Sequence, residues 1–295
     1  MDSIPVTVIP RVVSKFDEAK FLAEFATFSD FDTLIDKPGR FVDEDGNFLA
    51  VYAPGAIAKE ATEYWPELNS IQIETNNRGM STGKNIKVTR NKNNEINDVM
   101  VDYPYSGTLG FFDRTSRLPF CRQTAFTADH RNVVFGALGP FWKSVSDTYK
   151  AVAPDEYNDQ CKTIQEIHPD WIFPDTPFTT ITINNTYRTA YHRDAGDLVG
   201  PGVAWSILFA AWEGGKSGGA HIVLPAFRVA FAMNHGDFLC FNPHLIHGNT
   251  PLGSRKRVSC VFYIREKIKQ CGSSQEERIR GVEISEKRFF GGENG

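Results

Sequence analysis

Residues 178–194 read FTTITINNTYRTAYHRD, and the fold turns on how this stretch is read. Threonine and isoleucine alternate from Phe178 to Asn184, which predicts a strand with one apolar and one polar face. Apolar runs of similar length follow at close spacing: WSILFAAW (205–212), AHIVLP (220–225), RVAFAMN (228–234), FLCFN (238–242) and RVSCVFYIR (257–265). Gly214-Gly215, Gly218-Gly219, Asn234-His235-Gly236-Asp237 and Gly248-Asn249 punctuate them as turns. Short strands at this spacing predict a sandwich or barrel. Helical patterns fall earlier, over residues 15–28, 56–68, 140–153 and 154–167, with a hairpin over 41–52 turning at Asp45-Gly46. The expected fold is α+β, mainly β: an antiparallel jelly roll, or double-stranded β-helix, with supporting N-terminal helices. One domain is expected over 1–269, its core at 107–269 after an N-terminal elaboration (1–106), with a polar tail over 270–295.

Composition narrows the function. The 295 residues are 41% hydrophobic and 23% charged, with 23 Phe, as in an ordinary globular chain rich in strand formers. No apolar run reaches the ~18 residues of a membrane helix, and the acidic, proline-bearing start is unlike a signal peptide. An intracellular protein, in nucleus or cytoplasm, is expected. Five scattered cysteines with no C-x-x-C imply reduced, buried thiols rather than a zinc site. The net charge of −4 argues against a strong non-specific grip on nucleic acid. Even so, residues 77–94 hold Arg78, Lys84, Lys87, Arg90 and Lys92 with no acidic residue, either a solvated loop or one that grips a phosphate backbone.

The chemistry lies in His192-Arg193-Asp194. In extended chain, residues i and i+2 point the same way, so an imidazole and a carboxylate can reach one point. His247 lies 55 residues later, after four strands, where a roll returns beside its start. Two imidazoles and one carboxylate with open coordination positions suit Fe(II) in oxygenases, which must also admit O2 and a chelating co-substrate. H-x-D alone is a weak signal, common in surface loops. Ten residues after His247, however, comes Arg257, and strand alternation puts Arg257, Ser259, Val261 and Tyr263 on one face. An inward guanidinium is costly unless an anion meets it. The distal carboxylate of 2-oxoglutarate would do so, with Ser259 adding a hydrogen bond. His244 competes with His247 for the metal; the turn at Gly248-Asn249 and the spacing to Arg257 favour His247. His130, His168, His221 and His235 are read as packed or solvated.

These residues, together with GGAHIVLPAFRVAFAMNHGDFLCFNPHLIHGNTPL (218–252) and the upstream LGFFDR and LPFCRQTAFT, resemble the TET/JBP family of nucleic-acid pyrimidine oxygenases over residues 107–266. The likeness is nearest to the thymine hydroxylase domain of the J-binding proteins and to an algal 5-methylcytosine-modifying enzyme. It implies iron on His192, Asp194 and His247, and 2-oxoglutarate on Arg257. It further implies a second co-substrate contact at Arg188, otherwise a surface charge, and a base contact at Asp197, otherwise a loop cap. Ascorbate, associated with the algal enzyme, is the alternative co-substrate. The J-binding proteins carry a separate DNA-recognition module, which is not expected within these 295 residues.

The implied activity is hydroxylation of the 5-methyl group of thymine or 5-methylcytosine in DNA, with the base flipped out. Phe111, Phe112, Tyr187, Trp205 and Trp212 are candidate stacking partners or core residues. Two other classes stay open: a small-molecule hydroxylase on the same scaffold, which the acidic charge favours, and a binding protein that has lost catalysis, against which the intact triad and arginine argue.

Overall fold

The alternating stretches are strands in the computed structural model, which describes residues 4–71, 81, 83, 88–90, 93, 96–99, 105–194 and 206–290. Along the N-terminal part come β1 (Val6–Val8), α1 (Lys15–Glu18), β2 (Thr33–Ile35), β3 (Gly39–Val42), β4 (Phe48–Ala53), α2 (Ala58–Glu63) and α3 (Trp65–Ser70). A hairpin, β5 (Val88–Arg90) and β6 (Ile96–Val99), precedes β7 (Ser106–Phe112), β8 (Arg122–Gln123), α4 (Ala125–Asp129), α5 (Gly139–Val152) and α6 (Pro154–Ile164). The remainder is β9 (Thr180–Asn185), β10 (Ser206–Trp212), β11 (Ile222–Leu224), β12 (Val229–Phe231), β13 (Phe238–Phe241), β14 (Gly248–Asn249), β15 (Arg257–Tyr263) and α7 (Ser274–Phe290).

Nine strands form one sheet in the order β1-β3-β4-β13-β10-β15-β9-β7-β8, and four form a second, β14-β11-β12-β2. Pairing is not wholly antiparallel as expected: β1 runs parallel to β3, and β2 parallel to β12. Both exceptions place an N-terminal strand at the edge of its sheet.

Strand alternation sorts the large sheet into two faces. Ile181, Ile183, Phe209, Val258, Cys260 and Phe262 point to one side, where α5 covers them with Phe141, Trp142, Val145 and Tyr149. Each such side chain contributes about 1.5–3 kcal/mol when fully buried. Leu208, Ala210, Trp212, Leu239 and Phe241 point to the other side and pack on Ile222, Leu224 and Phe231 of the small sheet. Towards β9 and β7 this second face turns polar, with Ser259, Thr182, Asn184 and Ser106. There the sheet borders a cavity rather than apolar core.

Several local expectations are corrected. The helix expected over 15–28 is a single turn of α1 and a 3₁₀ turn, Ala19–Phe21. Ser14 caps it, but at Ala23 the chain takes a left-handed φ of 64° so that its backbone pairs with Tyr191, a tertiary contact that overrides helical periodicity. The helix expected over 56–68 is two, broken at Tyr64 ahead of Pro66, whose ring supplies no N–H. Cys121 and Cys271 form a disulfide across 150 residues, contrary to the expectation of five free thiols; Cys240 and Cys260 are buried and free. A pairing over such a separation depends on tertiary proximity and leaves no local signature. Among the described residues no helix is long and apolar enough to cross a membrane.

The polar stretch after Gln270, expected to be a tail, carries α7. Its Glu277 is 1% exposed and accepts from the Arg114 guanidinium and the backbone N–H groups of Cys121 and Gly272. Burial alone would raise this carboxyl, but Arg114 and the two N–H groups outweigh it and hold it below the usual range. Its stabilising effect is therefore complete above the unfolded-state value, about 4.3, and is lost as pH falls through the lower folded-state value. Glu277→Ala should cost about 2–4 kcal/mol by stranding Arg114 and two donors. Urea titrations at neutral pH and below pH 4 check this: the deficit should shrink in acid, and a constant deficit would mean the carboxylate charge is irrelevant.

Candidate active site

His192 and His247 face each other across an isolated antiparallel bridge, each donating its N–H to the other's carbonyl at 3.0 Å. Residues directly opposite in such a pair project to the same side. The chains come close because position 248 is glycine: a Cβ there would lie 2.9 Å from the Tyr191 ring and 3.0 Å from its backbone nitrogen. Two further bonds extend the pairing, from Asn249 N–H to Thr189 and from Asp194 N–H to Pro243.

The imidazoles lie 4.4 Å apart between centroids. Asp194 reaches both, one oxygen 3.4 Å from His192 Nε2 and the other 3.7 Å from His247 Nε2. One ligand atom from each of the three residues lies within 4.8 Å of the others, the spacing of groups around one ion. Each ring's Nδ1 contacts a backbone carbonyl: Ala190 at 2.8 Å for His192 and Leu245 at 2.9 Å for His247. A carbonyl can only accept, so Nδ1 carries the proton and the Nε2 lone pair faces the common point. Burial, followed by the neighbouring His192, pushes His247 down to about 4, so its imidazole is neutral at pH 7. Burial would raise Asp194, but His192 and His247 outweigh it and hold the carboxylate ionised. Of the two competing histidines, His247 lies in this cluster and His244 does not.

The triad lines a cavity of 380 Å³ that also takes in Arg257, Ser259, Val261 and Tyr263, the four residues expected on one face of β15. Arg257 is 2% exposed; its Nε has no hydrogen-bond partner among the described residues, and its guanidinium lies 5.8 Å from the Trp212 ring centre. Burial pulls it down to about 10, so it stays charged. A buried cation without an anion is costly to hold. The cavity therefore fits a divalent metal on three ligands beside an acid anchored on Arg257.

Arg188 is placed elsewhere: it donates to the carbonyls of Ala26 (2.5 Å) and Asn249 (3.3 Å) and lies over Phe25. It is not among the residues lining the cavity. Asp197 and Trp205 lie outside the described residues, as does most of the basic stretch 77–94. Of the aromatic candidates, Tyr187 lines the cavity, whereas Phe111 and Trp212 are core. Sequence reading missed Thr182, Asn184, Ser106, Thr189 and Asn249, all lining the cavity. For Thr182 and Asn184 the signal was present, since they alternate with Ile181 and Ile183.

Two imidazoles, one carboxylate and a buried arginine in one cavity are the donor set that suits a mononuclear non-haem Fe(II) oxygenase domain. The chain belongs to the Tet_JBP family, the oxygenase domain of the 2OGFeDO superfamily, whose model matches residues 108–266. Among its relatives, the bifunctional helicase and thymine dioxygenase JBP2 of Trypanosoma brucei brucei is 28% identical over 90% of this chain and 23% of its own length. The thymine dioxygenase JBP1 of Leishmania braziliensis is 31% identical over 82% of this chain and 28% of its own. The chain thus spans about a quarter of the length of these curated relatives. A solved structure, NgTET1 in complex with 5mC DNA, superposes with a TM-score of 0.58 at 12% identity, covering 95% of this chain and 90% of that one. At that identity the likeness speaks to the fold.

Anaerobic titration with Fe(II) should show one ion per chain, and His247→Ala should weaken it more than the roughly 10–100-fold typical of losing an outer partner. Equal uptake by the variant would remove His247 from the ligand set.

Proposed function

We propose that this chain hydroxylates the 5-methyl group of a pyrimidine, thymine or 5-methylcytosine, in DNA. The observation that carries the reading is the bridged His192–His247 pair with Asp194, sharing a cavity with the unanswered cation of Arg257. The relatives are named as thymine dioxygenases, and the structural neighbour was solved with 5mC DNA, which supports a methylated pyrimidine as substrate. In this reading the two sheets form a jelly roll, the double-stranded β-helix, with the site at the open end of its inner face. The enzyme works wherever its DNA is, in nucleus or cytoplasm.

His192, Asp194 and His247 hold Fe(II), which with bound 2-oxoglutarate supplies O2-dependent hydroxylation of a C–H bond. Arg257 would pair with the distal carboxylate of 2-oxoglutarate and Ser259 would add a hydrogen bond, in the same cavity as the triad. This pairing favours a dicarboxylic acid over ascorbate, which lacks a carboxylate for Arg257. The apolar lining, Leu208, Ile222, Val261 and Phe241, limits water around the reacting methyl. A base must leave the duplex to reach this depth, and Tyr187 at the cavity wall gives it an aromatic surface.

Incubation with Fe(II), 2-oxoglutarate and thymine- or 5-methylcytosine-containing DNA, followed by mass spectrometry of the nucleosides, tests the activity. A hydroxymethyl pyrimidine is expected, and unaltered nucleosides alongside 2-oxoglutarate turnover on a small molecule would favour the small-molecule hydroxylase instead. Arg257→Ala should raise the KM for 2-oxoglutarate by about 30- to 1000-fold, the equivalent of losing roughly 2–4 kcal/mol of charge-assisted pairing. A variant that saturates at the parent's concentration would refute the assigned role.

A further inference from the structure

A second cavity, of 650 Å³, opens beside β8, the edge strand of the large sheet. Three guanidiniums line it: Arg122, Arg131 and Arg278. Arg131 and Arg278 are exposed and have no carboxylate partner among the described residues. The one acidic residue in the lining, Asp170, is engaged, accepting the backbone N–H of Ser274 at 2.7 Å. The wall behind these charges is aromatic, with Phe120, Phe135 and Trp171. A cavity pairing unanswered guanidiniums with ring faces fits an anion attached to a flat, apolar body, as in a nucleotide.

The two cavities are connected by charge. Phe112, on the inner face of β7, has Arg122 over its ring at 5.4 Å and Arg265 at 4.8 Å. Arg265 lines the catalytic cavity and Arg122 the second one, so a guanidinium–phenyl–guanidinium ridge runs over the sheet edge between them. Asp113, the carboxylate beside this ridge, accepts from Arg265 Nε at 2.8 Å and from Lys267 N–H. Burial pulls Arg122 below its ordinary value, with Asp113 opposing the shift and Arg265 adding to it. On a chain whose net charge is −4, this local excess of arginine is out of keeping with the whole.

We propose that the second cavity anchors the DNA strand beyond the target base: the backbone crosses the Arg265–Phe112–Arg122 ridge, and a neighbouring nucleotide sits with its phosphates on Arg131 and Arg278 and its base against Phe120 and Phe135. The inference rests on DNA being the substrate and adds where the strand runs. Stacking of this kind tolerates any base, so the anchor contributes affinity and register rather than sequence preference.

The test is fluorescence anisotropy of the full chain with a short labelled thymine-containing oligonucleotide over a range of salt, for the parent, Arg131→Ala/Arg278→Ala and Arg131→Lys/Arg278→Lys. The alanine pair should weaken binding about tenfold or more at low salt and flatten the log–log salt slope by roughly 1.5–2, as expected for two lost phosphate contacts. The lysine pair should keep the slope, and affinity for 2-oxoglutarate should stay at the parent's value in both. Parent-like binding and slope in the alanine pair, with DNA still oxidised, would overturn the anchor and leave the functional reading intact. A parent that neither binds nor oxidises DNA would overturn both.

Discussion

Two backbone hydrogen bonds between His192 and His247 set the geometry on which the site depends. They place the imidazoles side by side before any metal is considered, and the Nδ1–H bonds to Ala190 and Leu245 then turn both Nε2 atoms inward. Side-chain freedom has largely been removed, so metal binding need not bear the entropy of ordering these rings. Gly248 is the constraint behind the constraint, because any side chain there would push the two segments apart.

The N-terminal segment braces this bridge from outside. Ala23 and Glu24 form a backbone pair with Tyr191, and Arg188 ties the carbonyl of Ala26 to that of Asn249. Phe21, Leu22 and Phe31 pack around Tyr191, Val223 and Ile246. The arginine that resemblance would assign to the co-substrate thus holds the ligand-bearing segments together. Loss of helix over residues 22–28 accompanies the same contacts, since Ala23 N–H and the carbonyls of Glu24 and Ala26 bond to Tyr191 and Arg188.

The large sheet is divided along its inner face. Where the small sheet covers it, the side chains are Leu208, Ala210, Leu239 and Phe241; where it does not, they are Ser106, Thr182, Asn184 and Ser259. Arg257 stands on the polar side, buried without an anion among the described residues, and replacing such a group by a hydrocarbon often stabilises a fold. Its presence there has a physical account only if a ligand completes it, which is why the arginine says as much about chemistry as the metal ligands do.

The strands of the core and the meeting of His192, Asp194 and His247 in one cavity with Arg257 were legible in the residues alone, because each rests largely on a short-range rule. Alternation decides which way Arg257 and Ser259 point, and the i, i+2 relation joins His192 to Asp194. Tertiary structure alone decided the rest. It put His247 rather than His244 beside His192 and Asp194, since only a bridge between segments 55 residues apart distinguishes two histidines on one loop. It joined Cys121 to Cys271, folded the expected tail into α7 over a buried carboxylate, and turned Arg188 onto backbone carbonyls. Each of these is a contact between residues far apart in the chain, formed by groups whose local sequence is compatible with several partners, so the partner is selected only when the sheets assemble.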